Sequence, residues 1–450
     1  MELVDLQDNF DKTAFNHLRV PQSHPTLMSQ AQLPTTGALT GVLEALAFFR
    51  DPSFAQQRFQ THGDVFETCL LGQRIVFVQG DQPTADLLAQ SACLEGWWPE
   101  SVRLLLGSRS LANRNGDGHK ARRRVVGQLF SSAALRRYTP EISVLVQKLV
   151  DELLNSTSPQ PLSPLLRRFA FSVIANVVLG LDDRNRDELF ADFEIWTKAL
   201  FSIPNSIPGT PFTRAMNARR RLLTRLKQVL STDTLSKGGL DLIRGGVDET
   251  GISLDDDDLA EQLLLLLFAG YETTASSLSC LFRALLMNPT VNTWLLSELS
   301  SHSEQAEREQ SLPRLNATVL EVMRLNPPVG GFFRRTKTSV MLAGFEVPAD
   351  RVIQVVLTPS LPSDDSDFSD FRPQRHLDGS FDQTLLPFGG GERVCLGKAL
   401  ADLEIRLMAL GVLKSIELQL HPIQDLSLQQ IPSPTPRDGL VVTAKKITVG

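Results

Sequence analysis

From about residue 131 to residue 230, apolar positions recur at the three-to-four-residue spacing of helices. The run breaks at 202–211, Ser-Ile-Pro-Asn-Ser-Ile-Pro-Gly-Thr-Pro, which is too rich in proline to be helical and reads as a loop between two helices. The longest helical signal follows, starting near Ser253 and ending by Asn288, just before Pro289. At ~1.5 Å per residue such a helix crosses a whole domain. Asp255 to Asp258 fall in its first turn, where acids cap the helix and meet its dipole favourably; their spacing has no metal-ligand geometry. Strand signals are short: Arg74–Gln79, then Met341–Val347 and Arg351–Thr358, rich in β-branched residues. A coil-like stretch from Pro359 to Thr384 leads to a glycine-rich loop and a last helix over Leu396–Leu413. Many helices beside a minor β-region predict a mainly α fold. No internal repeat stands out.

Length adds little, because 450 residues suit several small domains or one large one; the chain is read as a single domain over 1–450, with 1–30 a poorly structured extension. A net charge of −6 is too mild to mark nucleic acid or a membrane surface as the main partner. Aromatic usage, 24 Phe against 2 Tyr and 4 Trp, predicts an apolar interior with few hydroxyls. The cysteines, at 69, 93, 280 and 395, form no Cys-x-x-Cys pair, which leaves zinc ribbons and thioredoxin-like chemistry without support and suits a reducing compartment. The N-terminus has acids and amides where a signal peptide needs a basic start and an apolar stretch. No run approaches the ~20 apolar residues of a membrane span. The longest, Leu263–Gly270, is followed by Tyr271 and Glu272. A cytoplasmic, bacterial protein without a transmembrane anchor is expected.

The most specific segment is Phe388-Gly-Gly-Gly-Glu-Arg-Val-Cys-Leu-Gly397. A cysteine thiolate can ligate haem iron and push electron density toward it. Cys395 sits just before a helix, whose N–H groups and dipole favour a thiolate, and the glycines let backbone approach the sulfur. Taken alone, the segment also fits a glycine turn with an inert buried cysteine. The whole pattern FxxGxRxCxG, however, resembles the signature of the cytochrome P450 superfamily.

Three further segments lie in that family's order. Ala269-Gly-Tyr-Glu-Thr-Thr274 is similar to its oxygen-binding helix motif, Glu321-Val-Met-Arg324 to E-x-x-R, and Phe371-Arg-Pro-Gln-Arg375 to F-x-P-x-R. The resemblance implies a helix-rich fold around a buried haem b, with Cys395 on the iron. It implies Phe388, Ala269 and Gly270 against the haem, and His119, Arg123, Arg334 and Arg393 on its propionates. Thr273 and Glu272 would steer protons; the plain alternative for a mid-helix threonine is a bond back to a carbonyl that bends the helix. Bareness at Gly270 would let the helix approach the haem. Glu321, Arg324 and Arg375 would form a buried structural cluster. The chain departs from the family where 358–370 lacks the usual H-x-D, and where His376 replaces a typical aromatic.

The segments Trp98–Gly107, Pro327–Arg334 and Ile431–Leu440 resemble the retinoic-acid-hydroxylating branch and its cyanobacterial relatives. The implied reaction is insertion of one oxygen atom from O2 into an apolar substrate, a retinoid such as retinoic acid, with a fatty acid or other terpenoid as the alternative. A haem-thiolate isomerase or dehydratase, or a haem sensor, is the rival class. Trp98, Phe201, Phe268, Val329, Gly330, Phe332 and Phe333 are the expected pocket. With no flavin or ferredoxin module in the chain, a separate donor is implied, such as ferredoxin with its reductase, docking on an exposed basic face at Lys120, Arg122 and Arg124.

Overall fold

The computed structural model describes residues 32–447, apart from 38–40, 52, 201, 232–237, 302–311, 358–365 and 382. The expected extension over 1–30, and Phe201, therefore lie outside the described residues.

Two helices, α1 (Val42–Arg50) and α2 (Phe54–His62), pack beside a hairpin of β1 (Val65–Leu70) and β2 (Gln73–Val78). There follow α3 (Asp81–Ala89), β3 (Leu94–Gly96), α4 (Glu100–Leu106), α5 (Gly116–Gly127) and α6 (Ser132–Asn155). After β4 (Gln160–Pro161), α7 (Leu162–Ser172) runs into a π-helical turn at Val173–Val178. Next come α8 (Asp183–Thr197), α9 (Pro211–Ser231), α10 (Asp256–Met287), α11 (Pro289–Ser301) and α12 (Pro313–Leu325). Strands β5 (Gly331–Thr336), β6 (Val340–Leu342), β7 (Phe345–Val347) and β8 (Val352–Val356) precede α13 (Lys398–Ser415), and β9 (Ile416–Leu420), β10 (Leu428–Gln429), β11 (Thr435–Pro436) and β12 (Val441–Lys446) end the chain.

The expected helices, the break before Pro211 and the small β-region are all present. Pro289 does more than stop α10, since it opens α11. The acidic first turn of α10 divides its work. The Asp255 side chain accepts from the Asp258 N–H at 2.8 Å, an N-cap. Asp258 is buried, 2.8 Å from Arg122 of α5 and 2.8 Å from the Gln262 amide. Among the described residues α10 is the one helix long and apolar enough to cross a bilayer, and 67% of its apolar window is buried inside the protein.

Sheet order is β1-β2-β8-β5-β3, with β2 and β8 parallel and the other neighbours antiparallel. Strand alternation sends neighbouring side chains to opposite faces. Val76, Val78, Ile353 and Val355 fill one apolar cluster, while Ile75, Phe77 and Val352 fill another. A far larger core runs from Val102 to Val442 and has α10 through its middle.

Candidate functional site

Cys395 is held by a loop that only glycine can shape. Gly389 and Gly391 have φ of 69° and 67°, a left-handed backbone that costs other residues. The Cys395 N–H donates to the Phe388 carbonyl at 2.9 Å, closing the loop two residues before the N-cap of α13. Burial is the largest influence on the thiol and pushes its pKa up; the N–H groups of Gly397 and Lys398, and the Arg123 charge, act the other way. The donors expected at the helix N-terminus are therefore present, but burial outweighs them. A thiolate here calls for a further positive partner, which a metal ion supplies because its ligands bind deprotonated.

Around this loop the fold gathers cations. His119 and Arg123 lie one turn apart on α5, Arg334 lies on β5 and Arg393 in the loop itself. Arg123 donates to the Val394 carbonyl at 2.8 Å. Arg334 donates to the carbonyls of Phe333 at 2.8 Å and Gly390 at 3.3 Å, and lies over the Phe332 ring. Arg393 donates to the Arg114 carbonyl at 2.5 Å and to Asn115 Oδ1. Among the described residues these bonds reach only backbone and amide oxygens, never a carboxylate. Burial, then repulsion from Arg393, lowers the Arg334 pKa to about 10. Burial, then the surrounding arginines, lowers His119 to about 4, so it is a neutral donor at neutral pH. Three half-buried guanidinium groups to which, among the described residues, no carboxylate is hydrogen-bonded favour an anionic ligand, and the two carboxylates of a haem meet that need.

Opposite, on α10, Thr273 Oγ1 donates to the Ala269 carbonyl at 2.7 Å, the back-bond that its position allows. Ala269 is exposed in the middle of a helix that is otherwise mostly buried. Cys395 is likewise open at its surface although protein atoms crowd around its sulfur, so each residue leaves surface that a bound group can cover. Glu272 is 2.5 Å from Arg167 of α7 and largely shielded from water. At Gly270 a Cβ would fall 2.8 Å from Ile174 Cδ1 in the π-helical turn, so its bareness admits that side chain.

Glu321 and Arg324 are fully buried and doubly bonded to each other, at 2.8 and 2.9 Å. Arg375 donates to Glu321 at 2.9 Å and the Arg372 N–H at 3.0 Å. His376, the apparent departure from pattern, lies with Nε2 2.8 Å from Glu321 and its ring against Phe381. Burial acts most strongly on Glu321 and raises its pKa, but the bonds from His376, Arg324 and Arg372 together win and hold it at about 2.

A family profile described as "Cytochrome P450" matches residues 34–450. The chain belongs to the cytochrome P450 family. It is 32% identical over 435 residues to a Synechocystis sp. protein named as a cytochrome P450 120, covering 93% of this chain and 98% of that one. It is 30% identical over 420 residues to cytochrome P450 26B1 of Xenopus tropicalis, covering 86% and 81%. The solved structure of retinoic acid bound cyanobacterial CYP120A1 superposes with a TM-score of 0.85 at 30% identity, covering 93% of this chain and all of that one. The cofactor of this P450 is haem b, and its reaction class is monooxygenation.

Other expected positions of the P450 separate. Phe332 packs with one sheet-face cluster and approaches Gly389, at 3.9 Å from its would-be Cβ. Phe333 turns to the other face, where its ring centroid is 5.3 Å from that of Trp97. The two therefore do not share one wall, because adjacent strand residues cannot. Trp98 packs on the main core, Phe268 meets Trp196 edge-on, and Val329 and Gly330 are exposed. Phe388 is partly buried against the same core. Arg122 overturns its expected role: it is 4% exposed and paired with Asp258 and Glu249, so it docks nothing. Lys120 and Arg124 are exposed as expected. Sequence reading also missed Arg167 and Asn115, whose partners lie about a hundred or more residues away.

Proposed function

We propose that this P450 hydroxylates a retinoid, with retinoic acid its substrate. The observation that carries the reading is the retinoic-acid-bound neighbour, which matches over nearly all of both chains. An apolar polyene also suits an interior rich in Phe with few hydroxyls, since its burial yields about 25 cal/mol per Å².

When bound, the haem supplies oxygen activation under the electron push of a thiolate. In this reading Cys395 is the iron ligand, and the Gly397 and Lys398 N–H groups orient its sulfur. Arg123, Arg334 and Arg393, with neutral His119, hold the propionates. Glu272, released from Arg167, would carry a proton in from bulk solvent, and the Thr273 hydroxyl would hand on its own proton as it takes that one up, leaving both side chains unchanged after each transfer. Ala269 leaves room there. Glu321, Arg324 and Arg375 fix the proximal framework and touch no substrate. Electrons come from a separate ferredoxin and its reductase through the face of Lys120 and Arg124. We take the chain, 1–450, as one domain, supported by the large core from Val102 to Val442 and the two sheet-face clusters beside it, and the enzyme as cytoplasmic and bacterial, supported by its cyanobacterial relatives.

The test titrates retinoic acid and a long-chain fatty acid against the ferric enzyme and looks for hydroxylated product. Retinoic acid is expected to displace water from the iron and to be oxidised. A spectral response and product with the fatty acid alone would overturn the retinoid assignment and leave the haem-thiolate chemistry standing.

A further inference from the structure

Gly96 ends β3 and stands opposite Arg334 in the β3–β5 ladder. A Cβ on Gly96 would fall 2.3 Å from Cζ of Arg393, 2.5 Å from its Nη1 and 2.7 Å from its Nε. The Arg393 guanidinium therefore lies against a bare α-carbon. The backbone of Gly96 is not left-handed, so its bareness answers to clearance and not to a turn.

Asn115 completes the arrangement. Its Oδ1 accepts from the Gly96 N–H at 2.8 Å and from Arg393 Nη2, and its Nδ2 reaches the Gly96 carbonyl at 3.4 Å. The same residue precedes α5, and its carbonyl accepts from the His119 N–H at 3.3 Å. Gly96 and Asn115 thus connect four separate donors: Arg334 through the ladder, Arg393 through clearance and a shared acceptor, His119 and Arg123 through the start of their helix. Nη2 of Arg393 is spent on Arg114 and Asn115. Among the described residues Nε and Nη1 make no hydrogen bond, and these are the atoms a methyl group at 96 would cover.

We propose that Gly96 and Asn115 are positioning residues that preset the Arg393 guanidinium, so that its free edge meets a haem propionate without reorganisation. A fork held in place loses less freedom on binding than a free side chain does. This rests on the reading that Arg393 binds a propionate.

The test measures the rate of haem transfer from the ferric holoenzyme to excess apomyoglobin, together with the ferric/ferrous midpoint potential. Arg393→Ala should lose haem about tenfold faster, the scale of one charge-assisted hydrogen bond. Gly96→Ala should speed loss several-fold and move the potential in the same direction as Arg393→Ala. In the Arg393→Ala background, Gly96→Ala should change neither quantity, since residues that act through one another are not additive. Asn115→Ala should behave like Gly96→Ala, and Asn115→Asp, which keeps the acceptor, should restore slow loss. Wild-type rates in both Gly96→Ala and Asn115→Ala would overturn the proposal, as would an undiminished effect of Gly96→Ala without Arg393. A wild-type rate in Arg393→Ala itself would instead remove the propionate reading on which it stands.

Discussion

Glu321 carries more of the fold than any other single carboxylate near the site. Its side chain is wholly buried among Arg324, Arg375 and His376. Its folded pKa, about 2, lies below the ordinary 4.5, so the native state binds fewer protons than the unfolded chain between those values. The stabilisation is therefore complete above about pH 4.5 and is lost as pH falls toward 2. Glu321→Gln should abolish that acid-sensitive step and cost about 3–5 kcal/mol at neutral pH, because two guanidinium groups are left buried without an anion. Urea unfolding at stepped pH checks both. At this scale the sequence was legible where one short segment carries the chemistry, as at Cys395 and Arg393. His376 was not legible: its bond to Glu321 spans 55 residues, and no local pattern marks it. Thr273 shows the plain reading in the structure, and its proton-steering role stays a proposal. Its back-bond to Ala269 is present, and the same hydroxyl oxygen keeps lone pairs for a proton-bearing partner.

Elements are tied near the N-terminal end of α10 by one carboxylate. Glu261 accepts from the N–H groups of Arg109 at 2.8 Å and Ser110 at 3.2 Å, and pairs with Arg219 of α9. A Cβ on Gly107 would strike both Arg219 and Glu261, so the chain between α4 and α5 presses directly on this pair. That connection and α9 thus share one anchor on the core helix. Glu261→Gln keeps an acceptor but removes the charge, and should weaken the tie by about 1–2 kcal/mol. Amide exchange should quicken at 107–111 and over α9, and retinoic acid should enter faster in stopped-flow mixing, with the haem spectrum unchanged. Unaltered exchange in both segments would show that the tie does not hold them. Helices and their breaks were legible here because periodicity and proline report local structure. The acids of α10 looked alike in sequence, and only packing separates Asp255, a cap, from Asp258 and Glu261, which bind other elements. Strand β5 was not among the expected strands, since its pairing with β3 and β8 comes from distant chain.

Across the whole molecule, charge is distributed so that a small positive face stands on a chain of net charge −6. Lys120 and Arg124 project from α5, the helix that also carries His119 and Arg123 inward. One helix therefore presents cations to solvent on one side and Arg123 to the Cys395 loop on the other, and the proposed docking face rests on that arrangement. Arg122, between them in sequence, is excluded because Asp258 and Glu249 take it into the interior; periodicity alone cannot reveal that a charged residue has buried partners. An acidic donor such as ferredoxin meets long-range repulsion from the net charge and short-range attraction from this face. Salt screens both, and with a screening length of about 8 Å at physiological ionic strength the long-range repulsion is attenuated first, while the attraction between facing charges fades as the length shrinks further. Lys120→Glu with Arg124→Glu should slow reduction by ferredoxin several-fold at low salt, and the variant and wild-type rates should converge as salt rises toward about 0.5 M, where charges more than a few ångströms apart no longer interact. Haem content and retinoic acid affinity should stay the same, because neither side chain is part of the cradle. Rates that differ by the same factor at every salt concentration would mean that the substitutions act through the fold, and equal rates at low salt would move the docking face elsewhere.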